Sequence, residues 1–470
     1  MSLHRRLASG AALIFIYLAV EYLLPKPASI APEGWRLLGL FAATIGGLIL
    51  QPVPGGAVVL TAVVLSALIG GLDTAQALGG YSDPIVWLVI AAFLISDALL
   101  KTGLARRIAL FFVRTAGRSS LGVCYALSLT DMVLAGIIPS NAARSGGVVL
   151  PVARSIVELY DSRPGPTAGL LGAFLIAAVY QNVCVTAAMF MTGQASNPLA
   201  ARIATDAFHY PLTPAAWFAA GIVPGLCSLA VLPLLVFRLN PPKIRRTPEA
   251  RAFAAGELKR MGPVSRPEAI VLLVFAAVCL LWVTSPFHRI DITATALLGA
   301  VALILTGILS WEDVVRNKSA WSLFIWYGGL VQLGKALGET GVTRVFAHAV
   351  AARFTGESWP VLLAGALVVY FYSHYGFASI TAHLLAMFTP FCAVLIAKGA
   401  PAGLVLFAFA CFSNFAAGLT HYGTTPAPMY FAQNYLSLRE WWKVGFAVSI
   451  VNLTIWSTVG FWWWKLIGLW

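Results

Sequence analysis

The sequence predicts an all-α polytopic membrane protein, and its composition is the main reason. Of 470 residues, 59% are hydrophobic and only 10% are charged, whereas a soluble domain has roughly 45–50% apolar and about 25% charged residues. So few charges cannot cover a water-facing surface of this size, and lipid must therefore surround much of the chain. A spanning helix needs about 20 apolar residues, so the apolar runs leave room for roughly 11 to 13 such segments.

The apolar runs are expected to be helices, because backbone groups in lipid must be hydrogen-bonded within the protein. Several of these runs are too short or too interrupted for a simple crossing, and those carry the polar motifs. In chain order the candidate helices lie near 8–24, 35–51, 56–72, 84–101, 120–138, 168–192, 214–237, 268–286, 291–309, 319–337, 359–376, 385–399, 401–418 and 441–467.

The chain has a net charge of +13, and its densest basic stretch is the segment 238–267, which the sequence predicts to be a long loop containing several prolines. Only Glu249 and Glu257 oppose its basic residues, so the positive-inside rule places this loop and the N-terminus in the cytoplasm. Membrane topology explains the charge better than a nucleic-acid partner does. The loop separates a first half, 1–237, from a second half, 268–470. Its basic residues are Arg238, Lys243, Arg245, Arg246, Arg251, Lys259, Arg260 and Arg266.

The two halves contain the same landmarks in the same order, which indicates an internal repeat. Two-fold repetition in a polytopic chain is typical of secondary transporters, and halves with an odd number of crossings are inverted relative to each other. The matching pairs are Thr102-Gly103 with Thr340-Gly341, 140–144 with 379–383, and 193–198 with 421–426.

The polar clusters at 140–144 and 379–383 are predicted to be the tips of two re-entrant helical hairpins. Ser140 and Asn141 in the first, and Ser379 and Thr381 in the second, have side chains suited to helix N-termini or to hydrogen bonds with an anion. The positive end of a helix dipole attracts an anion, so two facing tips suit a molecule with a carboxylate at each end. The alternative is that these residues only cap buried helices.

Arg144 and His383 each lie four residues after the serine of their motif, one helical turn further on. Ionisable side chains at membrane depth are costly and are functional candidates by default. The alternatives are that Arg144 extends to a membrane surface and that His383 is a hydrogen-bonded core histidine.

The segments 193–198 and 421–426 are predicted to be breaks within helices, because Pro198 and Pro426 are disfavoured in an unbroken helix. Breaks at membrane depth are tolerated where they line a cavity, and a simple proline kink is the alternative. From these segments we expect Gly193, Ser196, Asn197, Thr424 and Thr425 to contribute to a substrate site.

The chain shows no pattern that indicates a metal site, a cofactor or an enzyme. The six cysteines lie in apolar runs without a C-x-x-C pair. Sequence signatures of zinc proteases, serine hydrolases, P-loops and dinucleotide sites are missing. We therefore expect no cofactor and no metal, and keep an intramembrane enzyme only as a remote alternative. Asp131, among other charged residues in apolar runs, has no assignable partner.

The tip and break motifs, together with Gly418-Leu419-Thr420-His421-Tyr422 and Trp463-Trp464-Lys465, resemble the divalent anion/sodium symporter family (DASS). The likeness is to its exchanger branch of bacterial citrate/succinate and tartrate/succinate antiporters and plastid 2-oxoglutarate/malate translocators. It implies a homodimer with about 11 transmembrane helices and two re-entrant hairpins per chain, and a transport domain that moves against a scaffold as an elevator.

The resemblance also implies roles for individual residues. Ser140, Asn141, Ser379 and Thr381 match the family's tip motifs, whereas Ala142 and Ile380 depart from them. Arg144 and His383 match positions at which the exchanger branch replaces sodium ions with fixed side chains.

The function expected from the sequence is sodium-independent exchange of small dicarboxylates or related organic anions, in the bacterial inner membrane. A sodium-coupled anion symporter is the alternative.

Overall fold

The computed structural model describes residues 3–342, 345, 350, 352 and 356–470, and in this part of the chain the regular secondary structure is α-helical, with short 3₁₀ and π-helical turns and connecting loops. The helices before the basic segment are α1 (Leu3–Leu18), α2 (Pro32–Leu50), α3 (Gly55–Leu68), α4 (Thr74–Leu78), α5 (Pro84–Lys101), α6 (Leu104–Ala116), α7 (Ser120–Ala135), α8 (Leu150–Leu159), α9 (Gly172–Met189), α10 (Ser196–Phe208) and α11 (Pro214–Leu239).

The remaining described helices are α12 (Pro248–Met261), α13 (Arg266–Val283), α14 (Ser285–His288), α15 (Ile292–Leu305), α16 (Trp311–Arg316), α17 (Lys318–Glu339), α18 (Trp359–Ser373), α19 (Ile380–Ala397), α20 (Ala402–Ala416), α21 (Pro426–Phe431), α22 (Leu438–Ile455) and α23 (Phe461–Leu466).

Seven helical runs in the described part of the chain are long and apolar enough to cross a membrane. They are α2, α5, α9, α11, α19 and the runs Ala402–Leu419 and Leu438–Leu466. Four further apolar helices have 10–17 residues, among them α7 and α15. The all-helical polytopic class is therefore confirmed.

Each half repeats one order of elements. Hairpin 1 consists of α7, tip 1 (136–141), a π-helical turn at Ala142–Val149 and α8; after it, α9 ends at break 1 (190–195) and continues as α10. Hairpin 2 consists of α18, tip 2 (374–379) and α19; after it, α20 ends at break 2 (417–425) and continues as α21. The helices that precede the two breaks lie at the centre, where 94% of the residues in each run are buried.

The two hairpins enter from opposite ends of the molecule. At the base of hairpin 1, the Ser120 amide donates to the Arg245 carbonyl at 3.1 Å, and the same basic segment also bonds the turn before α9. After break 1, α10 continues to the far end, where Tyr210 packs closely against Gly403 at the base of hairpin 2. The two repeats are therefore inverted, as expected from the sequence.

The basic segment 238–267 is not one long loop as the sequence predicts, because its middle part, Pro248–Met261, forms α12. Its prolines do not break this helix, since Pro248 occupies the first helical turn, where a missing N–H costs nothing. Helix α12 packs against α6 and is bent by 106° from the helix that follows it. Arg106 of α6 pairs with Glu257 at 2.8 Å, which fixes the segment against the helical core.

Candidate functional site

Both tips and both breaks meet at one open pocket of about 430 Å³. Its other wall comes from α5 and from the first half of α17. Among the described lining residues there is no carboxylate, and the polar side-chain groups are hydroxyls, amides, one indole N–H and one ammonium. The lining residues are Phe93, Pro139, Ser140, Asn141, Ala142, Gln194, Ala195, Lys318, Ser319, Ser322, Leu323, Trp326, Ser379, Ile380, Thr381, Thr424 and Thr425.

Tip 1 presents hydrogen-bond donors to this pocket. The Ser140 hydroxyl accepts a bond from the Ala143 amide at 3.2 Å, so its own hydrogen is free to donate. The side chain of Asn141, a residue that is only 3% exposed, accepts a bond through Oδ1 from the Arg144 guanidinium at 2.8 Å. Its Nδ2 has no partner among the described residues. A buried donor without a partner is costly, and an anion in the pocket would satisfy it.

Tip 2 repeats the arrangement with fewer polar groups. Ser379 caps α19 by accepting from the Ala382 amide at 3.4 Å, and Thr381 lies in the first turn of this 18-residue helix. The free N–H groups of the first turn carry the positive end of the helix dipole. Ile380, which takes the place of Asn141, is buried and apolar. The two tips are therefore alike in that a serine accepts a bond from the amide three residues later, and they are unequal in hydrogen-bonding capacity.

Arg144 does not line the pocket; it lies fully buried behind tip 1. Its guanidinium forms an ion pair with Asp131 at 2.8 Å and donates to the carbonyls of Ile138 at 3.1 Å and Gly193 at 2.8 Å. The second oxygen of Asp131 accepts a bond from the Thr186 hydroxyl. The arginine therefore joins hairpin 1, tip 1 and break 1.

From the sequence alone Asp131 has no assignable partner, whereas in the structure it is the counter-ion of Arg144. The available signal was a lone carboxylate in an apolar run, one hairpin arm before the arginine. Because the two charges of the pair offset each other, Arg144 does not face the pocket as a free cation; it bonds the side chain of Asn141, which does line the pocket.

His383 is likewise buried behind its tip and does not line the pocket. Its Nε2 lies 2.9 Å from the Tyr370 carbonyl and 3.0 Å from the Ser373 hydroxyl, both on hairpin 2. Break 2 is reached instead by His374, whose Nε2 donates to the Gly423 carbonyl at 2.9 Å. The two rings stack edge to face with centroids 4.8 Å apart. Two histidines in the second half thus make the links that one arginine makes in the first.

The role of His374 was not expected from the sequence. One signal could have found it, because the tripeptide His-Tyr-Gly occurs at 374–376 and again at 421–423, which are the two segments that this contact joins.

The two breaks contribute differently to the pocket. Thr424 and Thr425 line it as expected, whereas Gly193, Ser196 and Asn197 do not, and break 1 contributes Gln194 and Ala195 instead.

Asn197 has a bonding role within the protein. Its Nδ2 donates to the Ala187 carbonyl of α9 at 2.7 Å and to the Phe190 carbonyl of break 1 at 2.9 Å, and its Oδ1 accepts from Asn414 of α20 at 2.8 Å. These bonds hold the two broken helices together at their centre.

The wall formed by α17 was not anticipated from the sequence. Lys318, Ser319, Ser322 and Trp326 follow the spacing of one helical face and all line the pocket. Helix α17 packs against α2, α3 and α5, and it reaches the hairpin side of the molecule mainly through α10. In the described part of the chain, no cluster of His, Cys, Asp and Glu could hold a metal ion.

The fold is similar to those of two solved membrane proteins. It aligns over 99% of this chain and of the Alcanivorax borkumensis YdaH transporter with a TM-score of 0.54 and 14% sequence identity. It also aligns over 96% of this chain and 97% of Neisseria gonorrhoeae MtrF, from a class of antimetabolite efflux pumps, with a TM-score of 0.58 and 14% identity. At such low identity these likenesses concern the fold alone.

The chain belongs to the family described as the sodium:sulfate symporter transmembrane region, whose profile matches residues 4–470. Its relatives include YflS of Bacillus subtilis, named as a candidate malate transporter, with 40% identity over 96% of this chain and 95% of the relative. Dicarboxylate transporter 1 of Arabidopsis thaliana chloroplasts is 38% identical over 96% of this chain and 82% of its own length. The inner membrane protein YbhI of Escherichia coli is 33% identical, with 95% coverage of both chains. The protein is therefore an integral membrane transporter and not an enzyme.

Proposed function

We propose that this transporter exchanges small dicarboxylates across the membrane without sodium. The observation that carries the proposal is the pocket, in which tips from opposite ends of the molecule present helix N-termini and hydroxyl and amide donors, with no carboxylate among the described lining residues. A substrate with a carboxylate at each end can satisfy both tips at once. The names of the relatives support dicarboxylates as the substrate class.

The position of Arg144 supports sodium independence. In transporters with broken helices, backbone carbonyls of the unwound segments coordinate the coupling ion. Here the carbonyls of Ile138 and Gly193, from tip 1 and break 1, both accept from the guanidinium. A cation that is part of the chain thus fills this oxygen-lined position, and it does not dissociate between transport cycles.

The unmet donors of the pocket support exchange over one-way transport. When the pocket is empty, the Asn141 amide lacks a partner and two helix N-termini face it without an anion. Moving such a site through a low-dielectric region is costly, and bound carboxylates reduce that cost. The loaded form therefore crosses more readily than the empty form, and flux in one direction requires return with a second anion.

The movement we propose is that of an elevator within a homodimer. The hairpins and broken helices would move as one body past α5 and α17, which together form the opposite wall of the pocket. Arg202 of α10 binds Asp83 at the start of α5 at 2.7 Å, a contact that joins the two groups of helices in the present state. We place the protein in a bacterial inner membrane with the N-terminus and segment 238–267 in the cytoplasm, as the basic residues of this segment favour.

Uptake into proteoliposomes tests the proposal directly. Vesicles loaded with malate should take up labelled malate or succinate in sodium-free buffer, and vesicles without internal dicarboxylate should take up little. The description of the family favours a sodium-coupled symporter as the second candidate. Uptake that needs a sodium gradient and proceeds into empty vesicles would support that candidate and refute exchange.

A further inference from the structure

Lys318 is the one charged side chain among the described residues that line the pocket. It is exposed, and its ammonium has no hydrogen-bond or ion-pair partner in the described part of the chain. The carboxylates on the preceding helix α16 do not neutralise it, because Asp313 pairs with Lys101 at 2.6 Å and Glu312 pairs with Arg316. The pocket therefore has one uncompensated positive charge on the wall opposite the tips.

The position of this lysine within its helix is unfavourable by local rules. Lys318 is the first residue of α17, and the first turn of this helix contains no acidic residue. A cation at a helix N-terminus is repelled by the positive end of the helix dipole. Asn317 caps the helix by accepting a bond from the Ala320 amide at 3.0 Å, but no negative charge offsets the ammonium, and a local rule broken in this way is expected at functional sites. A bound anion would compensate both the ammonium and the helix end.

The lysine lies at the end of the molecule that carries the basic segment. Asp313, five residues earlier, binds Lys101 at the end of α5, and Arg106 of the following helix binds Glu257 of that segment. Trp326 lines the pocket two turns further along the same helix. Lys318 thus stands at the mouth on this side, and an incoming anion meets it before it reaches the tips.

We propose that Lys318 is a specificity-determining residue that attracts the substrate electrostatically from the α17 wall and selects dianions over monoanions. This inference rests on the proposed function. A fixed charge at the mouth raises the local concentration of anions, and it does so more for a dianion than for a monoanion because the attraction scales with charge. The tips recognise hydrogen-bonding geometry, and the lysine adds recognition of total charge.

Malate exchange in proteoliposomes measures the effect. A dianion about 6 Å from a unit charge in water gains enough Coulomb energy for about a tenfold change in affinity. We therefore expect K318Q to raise the half-saturating malate concentration about tenfold at about 20 mM ionic strength, and less at about 300 mM, where screening is stronger. K318R should have a half-saturating concentration close to that of the wild type. In competition against labelled malate, K318Q should weaken inhibition by lactate, a monoanion, less than it weakens inhibition by unlabelled malate.

The chain offers a matched control on the same helix. Lys335 of α17 is also exposed and does not line the pocket, and 17 residues place it about 25 Å further along the helix axis. K335Q should leave half-saturation unchanged. Because Lys318 is exposed, K318Q should purify and melt like the wild type.

The outcomes separate the two claims. Equal half-saturation for K318Q and the wild type, or equal shifts for K318Q and K335Q, would refute the role of Lys318 and leave dicarboxylate exchange standing. A wild-type protein that shows no dicarboxylate uptake would overturn the proposed function and this inference together.

Discussion

The buried pair of Arg144 and Asp131 allows the stability of hairpin 1 to be separated from the function of its tip. Replacing Arg144 with methionine removes four hydrogen bonds and leaves the Asp131 carboxylate buried without a counter-ion. Breaking a buried pair from one side typically costs about 3–5 kcal/mol. At about 2 °C per kcal/mol, R144M should melt about 6–10 °C below the wild type.

The double variant D131N/R144M removes both charges and avoids the unpaired carboxylate. Replacing both members of a buried ion pair is often close to neutral, so the double variant should regain most of the lost melting temperature. It should still fail to exchange malate, because nothing then holds the Oδ1 of Asn141 and fixes its Nδ2 toward the pocket.

Two assays on the same preparations test the stability of the pair and the positioning role of Arg144. They are the melting temperature of the detergent-purified protein and malate exchange in proteoliposomes. The single variant D131N is the control, since it retains Arg144 and its bond to Asn141. Wild-type exchange by the stable double variant would refute the positioning role of Arg144. A melting temperature of R144M equal to that of the wild type would refute the energetic account of the pair.

Three further results are expected from the structure. Asn141→Ala removes the unpartnered Nδ2 donor, and the loss of one hydrogen bond to a charged group, about 1.5–3 kcal/mol, should raise half-saturation for malate about 10- to 100-fold; an unchanged value would place the anion elsewhere. His374→Leu leaves the Gly423 carbonyl buried without its donor, which should cost about 1–3 kcal/mol, whereas His374→Gln keeps a donor and should melt closer to the wild type. The hydrogen bond from Lys101 lowers the pKa of Asp313 from 3.8 to about 2, so the pair stabilises the folded state above about pH 4 and this contribution is lost as the pH falls through about 2. Asp313→Asn should therefore flatten that part of the plot of melting temperature against pH. The same acid dependence in the variant and in the wild type would contradict the pairing.

The sequence predicted the backbone plan of the site better than its side-chain chemistry. Six predicted residues line the pocket, namely Ser140, Asn141, Ser379, Thr381, Thr424 and Thr425. The reason is that interruptions of apolar helices at membrane depth are tolerated only where they are buried in protein or line a cavity. Lys318 was missed because nothing local to α17 shows that its first turn faces hairpins that lie far away in the sequence.

Composition and local pattern alone determined that the chain is an all-helical membrane protein with two related halves, and where each half is interrupted. These features depend on the solvation of apolar residues and on proline and serine acting within one helical turn. Only the tertiary structure decided the partners of the buried polar groups. It made Asp131 the counter-ion of Arg144. It also showed that the histidine that bonds the Gly423 carbonyl of break 2 is His374 and not His383. The physical reason is that a buried charge or donor takes the acceptor that packing brings within about 3 Å, and packing joins residues between which the sequence shows no relation.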